Sequence, residues 1–161
     1  MKKSTGIAIT LATALGLGAV SLLAGLAKAE DSSAQATYRD IEQTLGLVPG
    51  FFKAFPESGI AGAWAEFKSF QLNPKTKLDG KTKELIGLAV AAQIPCQYCI
   101  YFHTAAAKAN GATDEEIKEA VAMAGLTRMG STILNGNQTD KAQFKKDIQR
   151  IVEGAKAQAK K

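Results

Sequence analysis

One histidine and two cysteines are all that this 161-residue chain carries of either type. Three soft ligands are too few for the usual four-coordinate structural zinc site made of Cys and His. A fourth ligand would have to be a carboxylate or come from another protomer. No stretch alternates apolar and polar residues over more than a few positions, which excludes a sheet-based fold and the βαβ setting of a thioredoxin-like centre. Basic residues do not cluster beyond the tail Lys156-Ala-Gln-Ala-Lys160-Lys161, so nucleic acid is not an expected partner. Charge of either sign is missing altogether from Ser4 to Ala27.

That uncharged run follows Lys2 and Lys3 and ends at Ala27-Lys28-Ala29, small residues at the spacing read by signal peptidase. Its length would also serve as a membrane span. Its Gly and Ala content, the interruptions at Thr10, Thr13 and Ser21, and the cleavage-like end favour a signal peptide over residues 1–29, cut between Ala29 and Glu30. The alternative is a retained N-terminal membrane anchor. No cysteine follows the run, which gives no support to a lipoprotein anchor. The expected location is periplasmic or secreted, with no stable membrane association after cleavage. The leader takes three basic residues and no acidic one with it, lowering the net charge from +5 to +2. The remainder is the size of one ordinary domain. It divides into a flexible lead-in at 30–36, a helical domain at 37–155 and a basic tail at 156–161 expected to fray.

Within that domain the apolar spacing is helical throughout. Ile41 and Leu45 lie four apart on a short helix from Tyr38 that Gly46 stops. The segment Pro49 to Phe55 reads as a short helical turn whose three phenylalanines need a partner surface. Glu57 to Gln71 carries Ile60, Ala63, Trp64, Phe67 and Phe70 on a broad apolar side. A polar connection follows, with the next helix start near Leu78-Asp79. Lys83 to Ala92 is apolar nearly all round after Glu84, the pattern of a central buried helix. Gln93-Ile94-Pro95 interrupts it, and Pro95 suits the first position of a helix running to Ala109, stopped by Asn110-Gly111. Thr113 to Glu116 is a capping box with acids at the positive end of the helix dipole. Ile117, Ala120, Val121 and Ala124 form the apolar face of that helix. A short segment from Leu126 to Leu134 and a last helix from about Thr139, bearing Phe144, Ile148, Ile151 and Val152, complete an all-α array of about six to eight helices.

Both cysteines and the histidine fall in the eight residues Cys96-Gln-Tyr-Cys99-Ile-Tyr-Phe-His103. On a helix, positions 96, 99 and 103 project at roughly 0°, 300° and 340°, within an arc of about 60°. Two thiols able to form a disulfide, with an imidazole one turn away, make a redox centre. In an exported protein, cysteines usually form structural disulfides. A bridge spanning two intervening residues, however, constrains the unfolded chain little and makes better sense as a bond made and broken. The first helical turn favours a thiolate at Cys96, whereas His103, four residues on, favours activation of Cys99; the spacing leaves open which sulfur attacks. Haem attachment of the c type is excluded because Ile100, not His, follows the second cysteine. Two buried structural thiols beside a core histidine are the plain alternative. Glu84 reads either as a surface carboxylate in a first helical turn or as a proton acceptor facing the thiols from the neighbouring helix, and spacing does not decide between them.

The run Glu84-Leu-Ile-Gly-Leu-Ala-Val-Ala-Ala, Cys96-x-x-Cys99-x-x-x-His103, Ala107, Asn110-Gly-Ala-Thr113 and Glu115-Glu-Ile-x-Glu119-Ala120 resembles the carboxymuconolactone decarboxylase superfamily, and within it the AhpD-like alkylhydroperoxidase branch. The strong part covers roughly residues 80–125; Leu45 to Phe52 and the helix of Trp64 are also similar to what precedes the motif in many members. Glu84 twelve positions before Cys96, followed by Cys99 and His103, is the specific feature; a lone Cys-x-x-Cys would be weak. The resemblance implies an all-helical domain that assembles as a homotrimer or homohexamer. It implies an antioxidant dithiol centre in which Cys99 attacks, Cys96 resolves the sulfenic acid, and Glu84 and His103 relay protons. It implies no cofactor and no bound metal, a hydroperoxide or thiol/disulfide substrate, and an unidentified reducing partner. Some relatives have a second histidine where this chain has Tyr98, a departure that bears on peroxidase rate. The alternatives are a carboxymuconolactone decarboxylase-type lyase, whose branch generally lacks the cysteine pair, and a non-catalytic helical oligomer with a structural disulfide or metal site.

Overall fold

Local stop and start signals set most of the helix ends in the computed structural model, which describes residues 33–159. The signal-peptide expectation lies outside the described residues. Those residues form six α-helices and one 3-10 turn, with no strand among them. They fall into two compact units divided between Asn73 and Pro74.

In the first unit, helix α1 spans residues 33–45 and helix α2 Glu57–Phe70, joined through a 3-10 turn at Gly50–Ala54. Gly46 ends α1 at φ +80, a conformation only glycine adopts cheaply, with its N–H on the Glu42 carbonyl at 2.8 Å. Helix α1 begins earlier than Tyr38, because Ala34, Thr37 and Ile41 fall on one face and are buried. Ile41 and Ala34 meet Phe52, Ile60 and Trp64 in one core cluster. Rings carry much of it: Phe52 stands edge-on to Trp64 at 5.4 Å and to Phe67 at 5.9 Å, and Trp64 stacks on Phe67. Burial of the Trp64 indole requires a partner for its N–H, and Asp40 Oδ2 accepts it at 2.7 Å. Lys68 pairs with the same carboxylate. Of the three phenylalanines of the turn only Phe52 is buried; Phe51, Phe55 and also Phe70 of α2 are exposed.

The second unit holds helices α3 (Gly80–Gln93), α4 (Gln97–Ala109), α5 (Asp114–Gly136) and α6 (Lys141–Gln158). Asp79 caps α3 by accepting from the Thr82 N–H at 2.7 Å. The capping box of α5 is complete: Thr113 Oγ1 accepts from Glu116 N–H, and Glu116 Oε2 accepts from Thr113 N–H. Helix α3 packs against both α4 and α5. Leu88 and Ala91 of α3, Ala107 of α4 and Ala124 of α5 are buried. Lys81 pairs with Glu116 at 2.7 Å and Gln93 Nε2 donates to the Ala124 carbonyl at 2.7 Å, holding α5 to α3 at both ends of the contact. Helix α5 runs unbroken to Gly136 instead of yielding a separate segment at Leu126, because Gly125 and Gly130 lower helix propensity without breaking the helix. Helix α3 is not covered all round: Ile86, Val90 and Ile94, one row at intervals of four, are exposed. So is every residue of α6, its apolar row Phe144, Ile148, Ile151 and Val152 included. No helix among the described residues is long and apolar enough to cross a membrane.

Candidate functional site: a disulfide beside a buried carboxylate–imidazole pair

The short link from α3 into α4 shapes the site. Cys96 N–H donates to the Ala91 carbonyl at 2.9 Å, closing the end of α3. Pro95 therefore stands outside the next helix rather than at its first position. Cys96 is the N-cap, with extended backbone (φ −103, ψ 102), and α4 starts at Gln97. Proline biases the residue before it, not the one after, away from helix, so the placement is set by the chain reversal. As N-cap, Cys96 offers Sγ to the Cys99 N–H at 3.2 Å, the role a serine or aspartate oxygen plays elsewhere. Cys96 and Cys99 are joined as a disulfide, their Cα atoms 5.3 Å apart. Both are part-exposed, not buried in the core.

One turn beyond Cys99, His103 reaches across to α3. Its Nδ1 lies 2.8 Å from Glu84 Oε2. The Glu84 side chain is 5% exposed and that of His103 19%, so this is an interior contact. A buried carboxylate without a partner is costly, and the imidazole supplies one. With Glu84 ionised, Nδ1 donates to it, which orients the ring and leaves proton exchange to Nε2. Glu84 is thus not a surface carboxylate of a first turn: it shares the buried face of α3 with Leu88 and Ala91, at the i, i+4, i+7 positions. All four residues singled out in the sequence, Glu84, Cys96, Cys99 and His103, lie on the α3–α4 pair. Tyr98 does not join them: it is 90% exposed.

Gly87 went unnoticed in the sequence. A Cβ built on it would stand 2.4–2.7 Å from the Cε1, Nδ1 and Nε2 atoms of His103, so the imidazole lies directly against the α3 backbone. The available signal was a glycine inside an otherwise strong helix former, which costs about 0.5–1 kcal/mol relative to alanine and calls for a reason. Nearby, the hydrogen bond from Lys81 holds the Glu116 carboxyl below its ordinary range and raises the Lys81 ammonium in return. Among the described residues, no group of three or more His, Cys, Asp or Glu side chains is placed to hold a metal ion.

Fold and site together define an all-helical protein with a Cys-x-x-Cys pair at a helix start and a carboxylate–imidazole pair beside it. Residues 59–136 match the carboxymuconolactone decarboxylase family. The crystal structure of the alkylhydroperoxidase AhpD core from Rhodospirillum rubrum is similar, with a TM-score of 0.60 and 29% identity over 70% of this chain and 87% of that one. The uncharacterized protein 4 in the cox locus of Paracoccus denitrificans is 41% identical over 61 residues, 38% of this chain. That match spans 55%, about half, of the relative's length. The match over residues 59–136 and the similar crystal structure support the carboxymuconolactone decarboxylase superfamily, and the described residues have an AhpD-like fold.

Proposed function

We propose that this protein is an exported thiol–disulfide oxidoreductase that reduces hydroperoxides through Cys99 and Cys96. The observation that carries the reading is a part-exposed disulfide one turn from an imidazole held by a buried carboxylate. Starting from the dithiol, the Cys99 thiolate attacks the outer peroxide oxygen; the O–O bond breaks, and the alkoxide leaves as alcohol with a proton delivered through His103. Cys99 is now a sulfenic acid. The Cys96 thiolate attacks its sulfur, the S–S bond forms, and water departs. Two electrons have passed from the dithiol to the peroxide, and an external dithiol returns them by exchange. The N-cap position suits Cys96 to its part, because the amides of the helix start favour a thiolate there, both as resolving nucleophile and as leaving group on re-reduction. Glu84 fixes His103 and balances the imidazolium that forms when it takes a proton.

The decisive experiment reduces the protein with a dithiol and adds organic hydroperoxide. One disulfide per chain and peroxide turnover with excess dithiol are expected. Cys99→Ser abolishes both, while Cys96→Ser leaves a sulfenic acid that a carbon nucleophile traps. Undiminished peroxide consumption by Cys99→Ser would remove that sulfur from the mechanism. A bond that resists mild reductant would favour a fixed structural bridge, since labile disulfides have the higher potentials.

Export and assembly belong to the same reading. The basic start and the small-residue end of residues 1–29 support a cleaved leader, and the exposed apolar rows of α3, α5 and α6 support a homotrimer or homohexamer. Mass measurement of the exported chain and its sedimentation are the checks: a chain that keeps residues 1–29, or one that sediments as a monomer, removes that part.

A further inference from the structure

We infer that Gly87 is a positioning residue for His103, and that its missing side chain lets the imidazole reach Glu84. Helix α3 presents Glu84 on its buried face, and Gly87 lies three residues on, beside it on the helix surface. His103 comes from α4 and lies against α3 between these two points, with three ring atoms within 2.7 Å of where a Cβ at position 87 would stand. Ordinary van der Waals contact begins at 3.4 Å, so a methyl group there displaces the ring by up to about 1 Å. The bond from Nδ1 to Glu84 Oε2 measures 2.8 Å, and that displacement lengthens it beyond hydrogen-bonding range. No far end of a flexible side chain is available to yield, because the clash is with the ring itself. Gly111 between α4 and α5, and Gly125 and Gly130 within α5, meet nothing within 4 Å, so close approach is not a general property of glycine in this unit. Gly80 does make one, but to the amide of Asn110, away from the thiols. The positioning itself is structural; its consequence for proton relay rests on the proposed function above.

His103 is the only histidine in the chain, so its ring signals in NMR report this one contact without assignment. With Gly87→Ala, the ring nitrogen and carbon signals shift toward those of Glu84→Ala. Thermal melting gives a second, independent reading through the sign of the effect. Gly87→Ala lowers the melting temperature when His103 is present and raises it in a His103→Ala background, where only the gain in helix propensity remains. If Gly87→Ala does not fold, recovery of folding in the Gly87→Ala/His103→Ala double variant supports the inference, and failure of both overturns it. Ring signals unmoved by Gly87→Ala, or the same sign of melting shift in both backgrounds, also overturns it. Neither reading requires turnover. Wild-type protein without peroxidase activity would therefore remove the proposed function alone, and equal signs with intact turnover would remove only the role of Gly87.

Discussion

In residues 33–73 the most buried positions go to Ala34, Ile41, Phe52, Ile60 and Trp64, whereas on α3 one of the three buried positions goes to a carboxylate, Glu84. The first unit has a polar contact too, from the Trp64 indole to Asp40, but there the carboxylate stays half-exposed and serves a packed ring. On α3 the order is reversed: the carboxylate is inside, and a ring from the next helix serves it. Burial that stabilises is apolar and tolerant of surface polarity; burial of an ionisable group sacrifices stability for a fixed charge in a dry place. The two regions therefore differ in what a mutation should damage, and that difference can be tested.

The largest effect expected falls on turnover. Glu84→Gln keeps the shape but not the charge, and should lower peroxide turnover by about 10²–10⁴-fold, the usual worth of acid–base assistance. Oxidation of the dithiol by a reagent that needs no proton relay should continue. Equal loss in both assays would break the comparison, because it would make Glu84 a structural residue. Trp64→Ala should do the opposite: a loss of about 3–5 kcal/mol in denaturant unfolding, from the emptied ring cluster. The disulfide of the variant should remain reducible and re-oxidisable wherever the protein is folded. A smaller and shared effect concerns acid. Asp40 is held below its ordinary pKa by the hydrogen bond from Lys68, Asp114 by that from Lys108, and Glu116 by that from Lys81. A depressed carboxyl stabilises the fold above its unfolded value and loses that contribution as pH falls through its folded value. Unfolding followed from neutral pH downward should show a plateau that begins to decline as pH enters the ordinary carboxylate range and keeps falling until it passes the lower folded values, in both units. These groups are solvent-exposed, so added salt should blunt the decline; an unchanged acid profile in Lys81→Met would show that its pair with Glu116 contributes nothing.

Much of the helical outline was legible because its signals are local. Gly46, Asn110-Gly111, Asp79 and the Thr113–Glu116 box act within one turn of themselves, and each is found where its chemistry puts it. The segment Leu126 to Leu134, set apart in the sequence, is continuous with α5, because local propensity has no means of weighing the neighbours that hold a helix through Gly125 and Gly130. The start of α4 lies two residues later than Pro95 for a similar reason: Pro95 belongs to the chain reversal after α3, and Cys96, not proline, caps the helix. The site residues were legible as types and spacing. Their partnership was not, because which way Glu84 faces depends on how α3 packs on α4.

From its own residues the chain determined an all-α fold, the clustering of both thiols with its single imidazole, and the caps that begin and end its helices, since all of these follow from contacts within a few residues. Only the tertiary structure decided that Glu84 is buried and bound to His103, that Cys96 caps α4 with its sulfur, and that Gly87 leaves room for a ring. Each of these is a contact between helices or across a chain reversal, and the geometry of such contacts is set by packing, which no spacing along one helix contains.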